Sequence, residues 1–172
     1  FVVVIGVGGL GHVAVQILRE VSGAAIIACD VTEDKLAFAK ELGAAYTVNS
    51  KDADAAEQIL KITGLKKAKV VLDFVGATST IDLGTKVVGM DGDLTIVGLG
   101  GGYYQYSMNG LPFGVTMTNP YWGSRTELME VVGLARQKKI HIEIEKFDLE
   151  QANEVYDKMR HGQIKGRAVL VP

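Results

Sequence analysis

The chain has 172 residues, of which 48% are hydrophobic, so we expect one folded domain, with room for an appendage, rather than a disordered chain. Its net charge is −2 and its longest basic block is Lys66-Lys67, with Lys69 close by, which argues against a nucleic-acid partner. No apolar run reaches the roughly 18 residues of a membrane-spanning helix, and no charged and then apolar leader precedes Phe1, so we expect a cytoplasmic protein with no membrane partner.

Short apolar segments alternate with segments of helical periodicity along the first hundred residues. The predicted strands are residues 1–5, 25–29, 45–48, 69–75 and 93–97, and apolar helical stripes begin near residues 10, 36, 55 and 81. Strands of nearly continuous Val and Ile, separated by amphipathic helices, predict a parallel sheet covered on both faces. Because crossovers in such sheets are right-handed, we predict an α/β, doubly wound Rossmann fold.

The alternation stops after Val97. Residues 98–114 are rich in glycine and tyrosine and predict a long loop with room for a short strand. A strand at 115–118, a helix around 128–135, a half-exposed strand at 140–147, a helix at 150–161 and a last strand at 167–171 follow. We assign residues 1–120 to the Rossmann domain and residues 121–172 to a C-terminal extension.

The first turn, residues 6–11, reads G-x-G-x-x-G between a predicted strand and a predicted helix. Gly6 permits a tight turn, Gly8 lacks the Cβ that would keep a pyrophosphate from the backbone, and Gly11 lets the helix pack close to the strand. The helix N-terminus adds unpaired N–H groups and the positive end of the helix dipole. The pattern predicts a dinucleotide site, although a plain turn, or a turn of a SAM or flavin enzyme, uses similar glycines.

An acidic residue, Asp30, ends the second predicted strand. A carboxylate at this position accepts both hydrogen bonds from an adenosine ribose and repels a 2′-phosphate. No arginine follows Asp30 directly, since the next residue is Val31. The sequence therefore favours NAD over NADP.

With these residues in place, the chain resembles the cofactor-binding half of zinc-dependent alcohol dehydrogenases of the medium-chain dehydrogenase/reductase family. The segments that carry the resemblance are GVGGLGHVAVQIL, KELGA, DFVG, TIVGLG, YWGSRTELMEVVGLA and GRAVLVP, and they are spread over essentially the whole chain. The resemblance implies the NAD-binding lobe of an oxidoreductase that, in the complete enzyme, transfers hydride between a small alcohol or ketone and NAD.

The resemblance also implies cofactor contacts at the ends of the strands. Backbone of residues 8–10 would face the pyrophosphate, and so would the Arg167 side chain. Asp30 and Lys35 would hold the adenosine ribose, residues 74 and 75 would line the cleft, and residues 97–99 would offer backbone to the nicotinamide carboxamide. The complete expected set is Gly6, Gly8, Gly9, Leu10, Gly11, Asp30, Val31, Lys35, Phe74, Val75, Val97, Gly98, Leu99 and Arg167.

The departures from the family concern its catalytic domain, which precedes the first Rossmann strand and supplies the zinc ligands. We therefore expect no catalytic and no metal-ligating residue in this chain, zinc only in the complete enzyme, and NAD binding without turnover by this chain alone. The residues after Pro120 resemble the return to that domain, and we expect them to be rearranged or loosely ordered. The rival hypothesis is a stand-alone regulatory module that senses NAD.

Three further features call for a choice between a site and ordinary structure. His12 could approach a phosphate, but a partly buried helix residue is the favoured interpretation, and Asp73 is expected to cap backbone donors beside the cleft. The segment 103–118 carries Tyr103, Tyr104, Tyr106, Met108, Leu111 and Phe113, and we expect it to form the edge through which a homodimer assembles. Ile140, Ile142 and Ile144 would share one face of the strand predicted at 140–147.

Overall fold

A sheet of six parallel strands forms the centre of the protein, described by a computed structural model of residues 1–172. The strands are β1 (Val2–Ile5), β2 (Ile26–Asp30), β3 (Tyr46–Asn49), β4 (Ala68–Asp73), β5 (Val88–Ile96) and β6 (Thr116–Thr118). Their order across the sheet is β3-β2-β1-β4-β5-β6, and every neighbouring pair is parallel. The doubly wound α/β prediction is confirmed, with the order reversing beside β1.

The helices connect these strands and continue into the C-terminal part of the chain. They are α1 (Gly11–Val21), α2 (Glu33–Leu42), α3 (Ala55–Thr63), α4 (Thr78–Val87), α5 (Arg125–Arg136) and α6 (Ala152–Arg160). Two further strands, β7 (Ile144–Asp148) and β8 (Arg167–Val171), form a separate two-stranded parallel sheet. No helix is both long and apolar enough to cross a membrane.

Burial on both faces explains why β1 is a continuous apolar run. Alternate side chains of a strand point to opposite faces, and those of β1 enter two different cores. Val3 and Ile5 pack into one core cluster, whereas Val2 and Val4 pack into the other. Each buried Val or Ile stabilises the fold by about 1.5–3 kcal/mol, so a polar residue anywhere in β1 would leave one core incomplete.

Two strands begin well away from the predicted residue, whereas the other strand ends lie within one or two residues of the prediction. β5 begins at Val88, directly after α4, rather than at residue 93, and its pairing with β4 shifts register between Ala68 and Val70. The strand predicted at 140–147 begins only at Ile144, so Ile140, Ile142 and Ile144 do not share a strand face. Ile140 is instead 5% exposed, while Ile142 and Ile144 are each 43% exposed.

The residues after Pro120 are regular, so the expectation that they are rearranged or loosely ordered is wrong. Helix α5 starts with a capping box in which Ser124 Oγ accepts the Glu127 N–H and Glu127 accepts the Ser124 N–H. Hydrogen bonds run from Ile144–Asp148 to Arg167–Val171 and close the small sheet. This part of the chain therefore has local interactions of its own that fix its structure.

Candidate functional site

A cavity of about 250 Å³ lies at the carboxyl ends of β1, β2 and β4. It is lined by Gly6, Gly8, Gly9, Leu10, Gly11, Asp30, Lys35, Phe74, Val75 and Arg167. All ten belong to the set expected from the sequence, so the fold brings most of that set together. Val31, Val97, Gly98 and Leu99 do not line this cavity. A larger cavity, of about 680 Å³, lies at the opposite, amino ends of the strands, around Phe1 and Lys66, away from the glycine turn.

The glycine turn that forms the floor of the cavity depends on missing Cβ atoms. Gly6 has a φ of +88°, a left-handed conformation that favours glycine. A Cβ on Gly11 would overlap the carbonyl oxygen of Gly6, so only glycine lets α1 approach the end of β1 this closely. A Cβ on Gly8 would meet no atom within 4 Å. The surface beside Gly8 is therefore open to a ligand.

Four backbone N–H groups of the turn have no acceptor within the protein, those of Gly8, Gly9, Leu10 and Gly11. The first bonds of the helical turn run from His12 N–H to Gly8 O (3.2 Å) and from Ala14 N–H to Leu10 O (3.0 Å). Unpaired donors at a helix N-terminus, together with the helix dipole, form a site for an anion such as a phosphate.

The Asp30 carboxylate fixes the geometry of the turn from the neighbouring strand. It is 6% exposed, its Oδ2 accepts the Val7 N–H (2.8 Å), and its Oδ1 accepts the Val31 N–H (2.7 Å). The Lys35 Nζ lies 3.8 Å from Oδ1. A carboxylate has about four acceptor positions, and the two backbone bonds use two of them. The others are available to a ligand in the cavity that Asp30 lines.

Arg167 approaches the glycine turn from β8, in the C-terminal part of the chain. A Cβ on Gly9 would lie 2.7 Å from the Cδ of Arg167, so the arginine side chain lies directly over the turn. Its guanidinium forms no ion pair with any Asp or Glu. An unpaired guanidinium beside four unpaired N–H groups suits an anion with several oxygens, because a guanidinium binds two oxygens at once.

Asp73 organises the other half of the cleft, as expected from the sequence. It is fully buried, and its Oδ1 accepts the N–H groups of Val75 (2.8 Å) and Gly76 (3.0 Å). The hydroxyl of Thr80 donates to its Oδ2 (2.8 Å). The expectation that Asp73 caps backbone donors beside the cleft is confirmed.

The loop after β5 is attached to the same residue through the main chain. The N–H groups of Val97 (2.7 Å) and Gly98 (3.0 Å) both donate to the carbonyl oxygen of Asp73. They are therefore not free to donate to a nicotinamide carboxamide. The N–H of Leu99 and the carbonyl groups of residues 97–99 have no partner within the protein, so these are the backbone groups that remain for a ligand.

The residues present do not fit a zinc ion. No three His, Cys, Asp or Glu side chains lie together in a way that could hold a metal. Cys29 is fully buried, and burial, followed by the charge of Asp30, raises the pKa of its thiol to about 12. Because the thiolate is the form that binds zinc, Cys29 is a core residue and not a ligand.

Sequence reasoning missed one set of residues that attach the C-terminal segment to the glycine turn. His12 is fully buried rather than partly buried. Together with Gln16 and Arg19, it bonds to the main chain of residues 139–143, which lie 120 to 131 residues further along the chain. Helical periodicity placed these residues on α1, but no local pattern could show what lies against them.

Comparison with known proteins agrees with the geometry of the site. The profile of the zinc-binding dehydrogenase family matches residues 9–137. An alcohol dehydrogenase from Moraxella sp. (strain TAE123) is 34% identical over 171 residues, which cover 99% of this chain and 50% of the relative. An NAD-dependent alcohol dehydrogenase from Sulfurisphaera tokodaii is 35% identical over 177 residues, with the same coverage of each chain.

Solved structures show the same fold. The alcohol dehydrogenase from Aeropyrum pernix superposes with a TM-score of 0.92 at 36% identity, over 99% of this chain and 50% of that one. An acetophenone reductase from Geotrichum candidum, solved in complex with NAD, gives a TM-score of 0.87 at 31% identity, over 99% of this chain and 48% of that one. The chain spans about half the length of the curated relatives it matches. The chain therefore belongs to the zinc-binding dehydrogenase family.

Proposed function

We propose that this chain is the NAD-binding lobe of an alcohol dehydrogenase-like oxidoreductase. The complete enzyme would transfer hydride between a small alcohol or ketone and NAD. The observation that carries the proposal is one cavity that joins the four unpaired N–H groups of residues 8–11 with the buried Asp30 carboxylate and the unpaired Arg167 guanidinium. Donors for a pyrophosphate and an acceptor for a ribose diol then lie side by side, as a dinucleotide requires.

The residues of this chain bind and orient the cofactor. The N–H groups of the glycine turn and the guanidinium of Arg167 bind the pyrophosphate oxygens. Asp30, held by Val7 and Val31, accepts from the ribose hydroxyls, with Lys35 beside it. Phe74, Val75 and the free backbone groups of residues 97–99 orient the nicotinamide end. Bound NAD supplies the hydride acceptor.

Asp30 is also the basis for preferring NAD to NADP. Its carboxylate is buried and fixed by two short backbone bonds, so it cannot turn away from an added 2′-phosphate. Like charges in such a site repel strongly because little water screens them. Lys35, at 3.8 Å from Asp30, offsets this repulsion only in part, because its side chain is more exposed than that of Asp30 and its charge is better screened by water.

Calorimetric titration of the 172-residue chain with NAD and with NADP tests the proposal. We expect one NAD per chain and at least tenfold weaker binding of NADP. Absence of NAD binding would overturn the proposed function, and equal affinity for the two cofactors would overturn the role of Asp30.

We further propose that this chain alone binds NAD without turnover. A catalytic zinc needs three protein ligands, and no three His, Cys, Asp or Glu side chains of this chain lie close enough together to hold a metal ion. Chelator-washed protein should contain no stoichiometric zinc by elemental analysis and should not oxidise ethanol or 2-propanol when zinc is added. Robust zinc-dependent oxidation would contradict this.

The rival function, a regulatory NAD-sensing module, fits the same cavity, but the family match over residues 9–137 favours the dehydrogenase.

A cytoplasmic location remains our expectation.

We also propose a homodimer that forms through the edge of the large sheet. Strand β6 is the edge strand beside β5, with its outer backbone groups unpaired by any strand. Tyr103, Tyr106, Met108 and Phe113 lie exposed before it, whereas Leu111 packs against the core and Tyr104 is half-buried. Exposed aromatic and apolar side chains beside an open edge suit a two-fold contact. Sedimentation equilibrium at micromolar concentration should give the mass of a dimer, and a monomer at all concentrations would contradict it.

A further inference from the structure

One face of α1 bonds to the main chain of a segment that is distant in sequence. His12, Gln16 and Arg19 follow one another at helical spacing and so lie on the same face. The Gln16 amide donates to the His141 carbonyl (2.8 Å) and accepts the His141 N–H (2.8 Å). Arg19 donates to the carbonyl of Lys139 (3.1 Å). Side chains of α1 thereby hold the segment 139–143, and β8 adds one bond, from the Arg167 N–H to the Glu143 carbonyl (2.9 Å).

The imidazole of His12 connects this segment with the glycine turn. Its Nε2 lies 3.2 Å from the backbone nitrogen of Glu143, and its Nδ1 lies 2.8 Å from the carbonyl oxygen of Gly8. A backbone N–H only donates and a carbonyl only accepts, so Nε2 accepts from Glu143 and Nδ1–H donates to Gly8. One neutral tautomer satisfies both bonds. The opposite tautomer or the imidazolium would place two hydrogens between Nε2 and Glu143.

The bond to Gly8 controls the direction of a group in the proposed cofactor site. The Gly8 carbonyl also accepts the His12 N–H (3.2 Å), so both donors of His12 hold that oxygen on the helix side. In a planar trans peptide the C=O and the next N–H point in opposite directions. The N–H of Gly9, which has no partner, is thereby turned away from the helix, at a residue that lines the cavity.

A restraint of this kind has particular value at two successive glycines. Gly8 and Gly9 lack side chains that could pack and limit rotation of the peptide between them, and glycine is the most permissive residue in φ and ψ. We propose that His12 is a positioning residue that holds the Gly8–Gly9 peptide with its N–H turned toward a bound pyrophosphate, while its other ring nitrogen anchors the segment 139–143. The inference rests on the proposed binding of NAD.

Two substitutions separate the two bonds of the ring. His12→Asn keeps a donor near the position of Nδ1 and loses the acceptor for Glu143. His12→Gln keeps an acceptor near the position of Nε2 and loses the donor to Gly8. His161→Asn is the matched control, because the exposed His161 makes the same kind of Nδ1 contact (2.8 Å), with the carbonyl four residues before it, at the end of α6.

Calorimetry measures the Kd of adenosine and the Kd of ADP for each variant. The ratio of the first to the second gives the gain in affinity that the pyrophosphate provides. We expect wild type, His161→Asn and His12→Asn to agree within about threefold, and His12→Gln to reduce the ratio at least tenfold. A general loss of stability would weaken adenosine and ADP together and leave the ratio unchanged. Equal ratios for both His12 variants, whether normal or reduced, would overturn the inference.

A second measurement needs no variant. Long-range ¹H–¹⁵N NMR of the wild type should show the proton of His12 on Nδ1, and the opposite tautomer would overturn the inference. Wild-type protein that binds neither ADP nor NAD would instead show that the proposed function is wrong. Wild-type protein that prefers ADP to adenosine, with His12→Gln unchanged, would refute only the role of His12.

Discussion

Replacing Asp30 with asparagine isolates the contribution of one negative charge to cofactor binding. Asp30→Asn keeps the shape of the side chain but exchanges one acceptor oxygen for an NH₂ group. In the native protein both oxygens accept backbone N–H groups, from Val7 at 2.8 Å and Val31 at 2.7 Å. The new NH₂ must therefore face one of these N–H groups, and a buried donor left without an acceptor costs about 1–3 kcal/mol. At about 2–4 °C per kcal/mol, the melting temperature should fall by several degrees.

The expected effect on binding is larger for NAD than for NADP. Hydrogen bonds to a charged acceptor contribute about 1.5–3 kcal/mol each, so the loss of one from the ribose should raise the Kd of NAD about 10- to 100-fold. The same change removes the repulsion of a 2′-phosphate, which offsets the loss for NADP. The preference for NAD over NADP should therefore fall at least tenfold.

Calorimetry with both cofactors, alongside thermal unfolding, measures these effects separately. Asp82→Asn is a suitable control, because Asp82 is an exposed aspartate on α4 whose carboxylate makes no hydrogen bond. We expect this control to leave both Kd values unchanged. Equal weakening of NAD and NADP by Asp30→Asn would refute the reasoning, because it would show that Asp30 acts only through the fold.

Further predictions concern the turn, the core and a helix cap. Gly11→Ala should lower the free energy of unfolding by about 1–3 kcal/mol and weaken NAD binding, since the added Cβ overlaps the Gly6 carbonyl oxygen. The pKa of Cys29 is raised from 9.0 to about 12, so in the folded protein at pH 8 this thiol should react only slowly with a thiol reagent. Bound NAD should slow the labelling further, because it stabilises the folded state. Fast labelling of the native protein would contradict this. As the pH rises from about 9 to 12, the free energy of unfolding should fall, because in this range the Cys29 thiol ionises in the unfolded chain but not in the folded protein. Ser124→Ala should cost about 1 kcal/mol, because the Glu127 N–H loses the Ser124 Oγ that accepts it. The pKa of Glu127, now lowered first by the backbone N–H of Ser124 and then by its side chain, should rise only in part, since the N–H remains in the variant; a full return to the ordinary range by NMR titration would contradict it.

The parallel sheet and most of the candidate site could be predicted because they depend on local patterns. The apolar run of β1 reflects burial on both faces, and the glycine spacing reflects the overlap that a Cβ at Gly11 would cause. Asp30 could be predicted because its position at the end of β2 is fixed by strand length. In each case a property of a few neighbouring residues determines the structure.

The remaining features depend on contacts between distant residues. The alternation of Ile140, Ile142 and Ile144 is typical of a strand, yet the backbone of residues 139–143 bonds mostly to side chains of α1. Its one bond to a strand is from the Arg167 N–H of β8 to the Glu143 carbonyl (2.9 Å). The start of β5 at Val88 was missed because two glycines interrupt its apolar pattern, and the register shift against β4 accommodates them. The role of His12 depends on Glu143, 131 residues away, and no periodicity in the sequence encodes that distance.

The proposed function requires that the unpaired N–H groups of the glycine turn bind the pyrophosphate of NAD, and amide NMR during a titration with NAD detects this contact residue by residue. We expect the largest shifts, saturating at one NAD per chain, in the amide signals of Gly8, Gly9, Leu10 and Gly11. His12→Gln should reduce the shift of Gly9 in particular. Unchanged signals from this turn, or shifts confined to the cavity around Phe1 and Lys66 at the amino ends of the strands, would show that the pyrophosphate does not bind there.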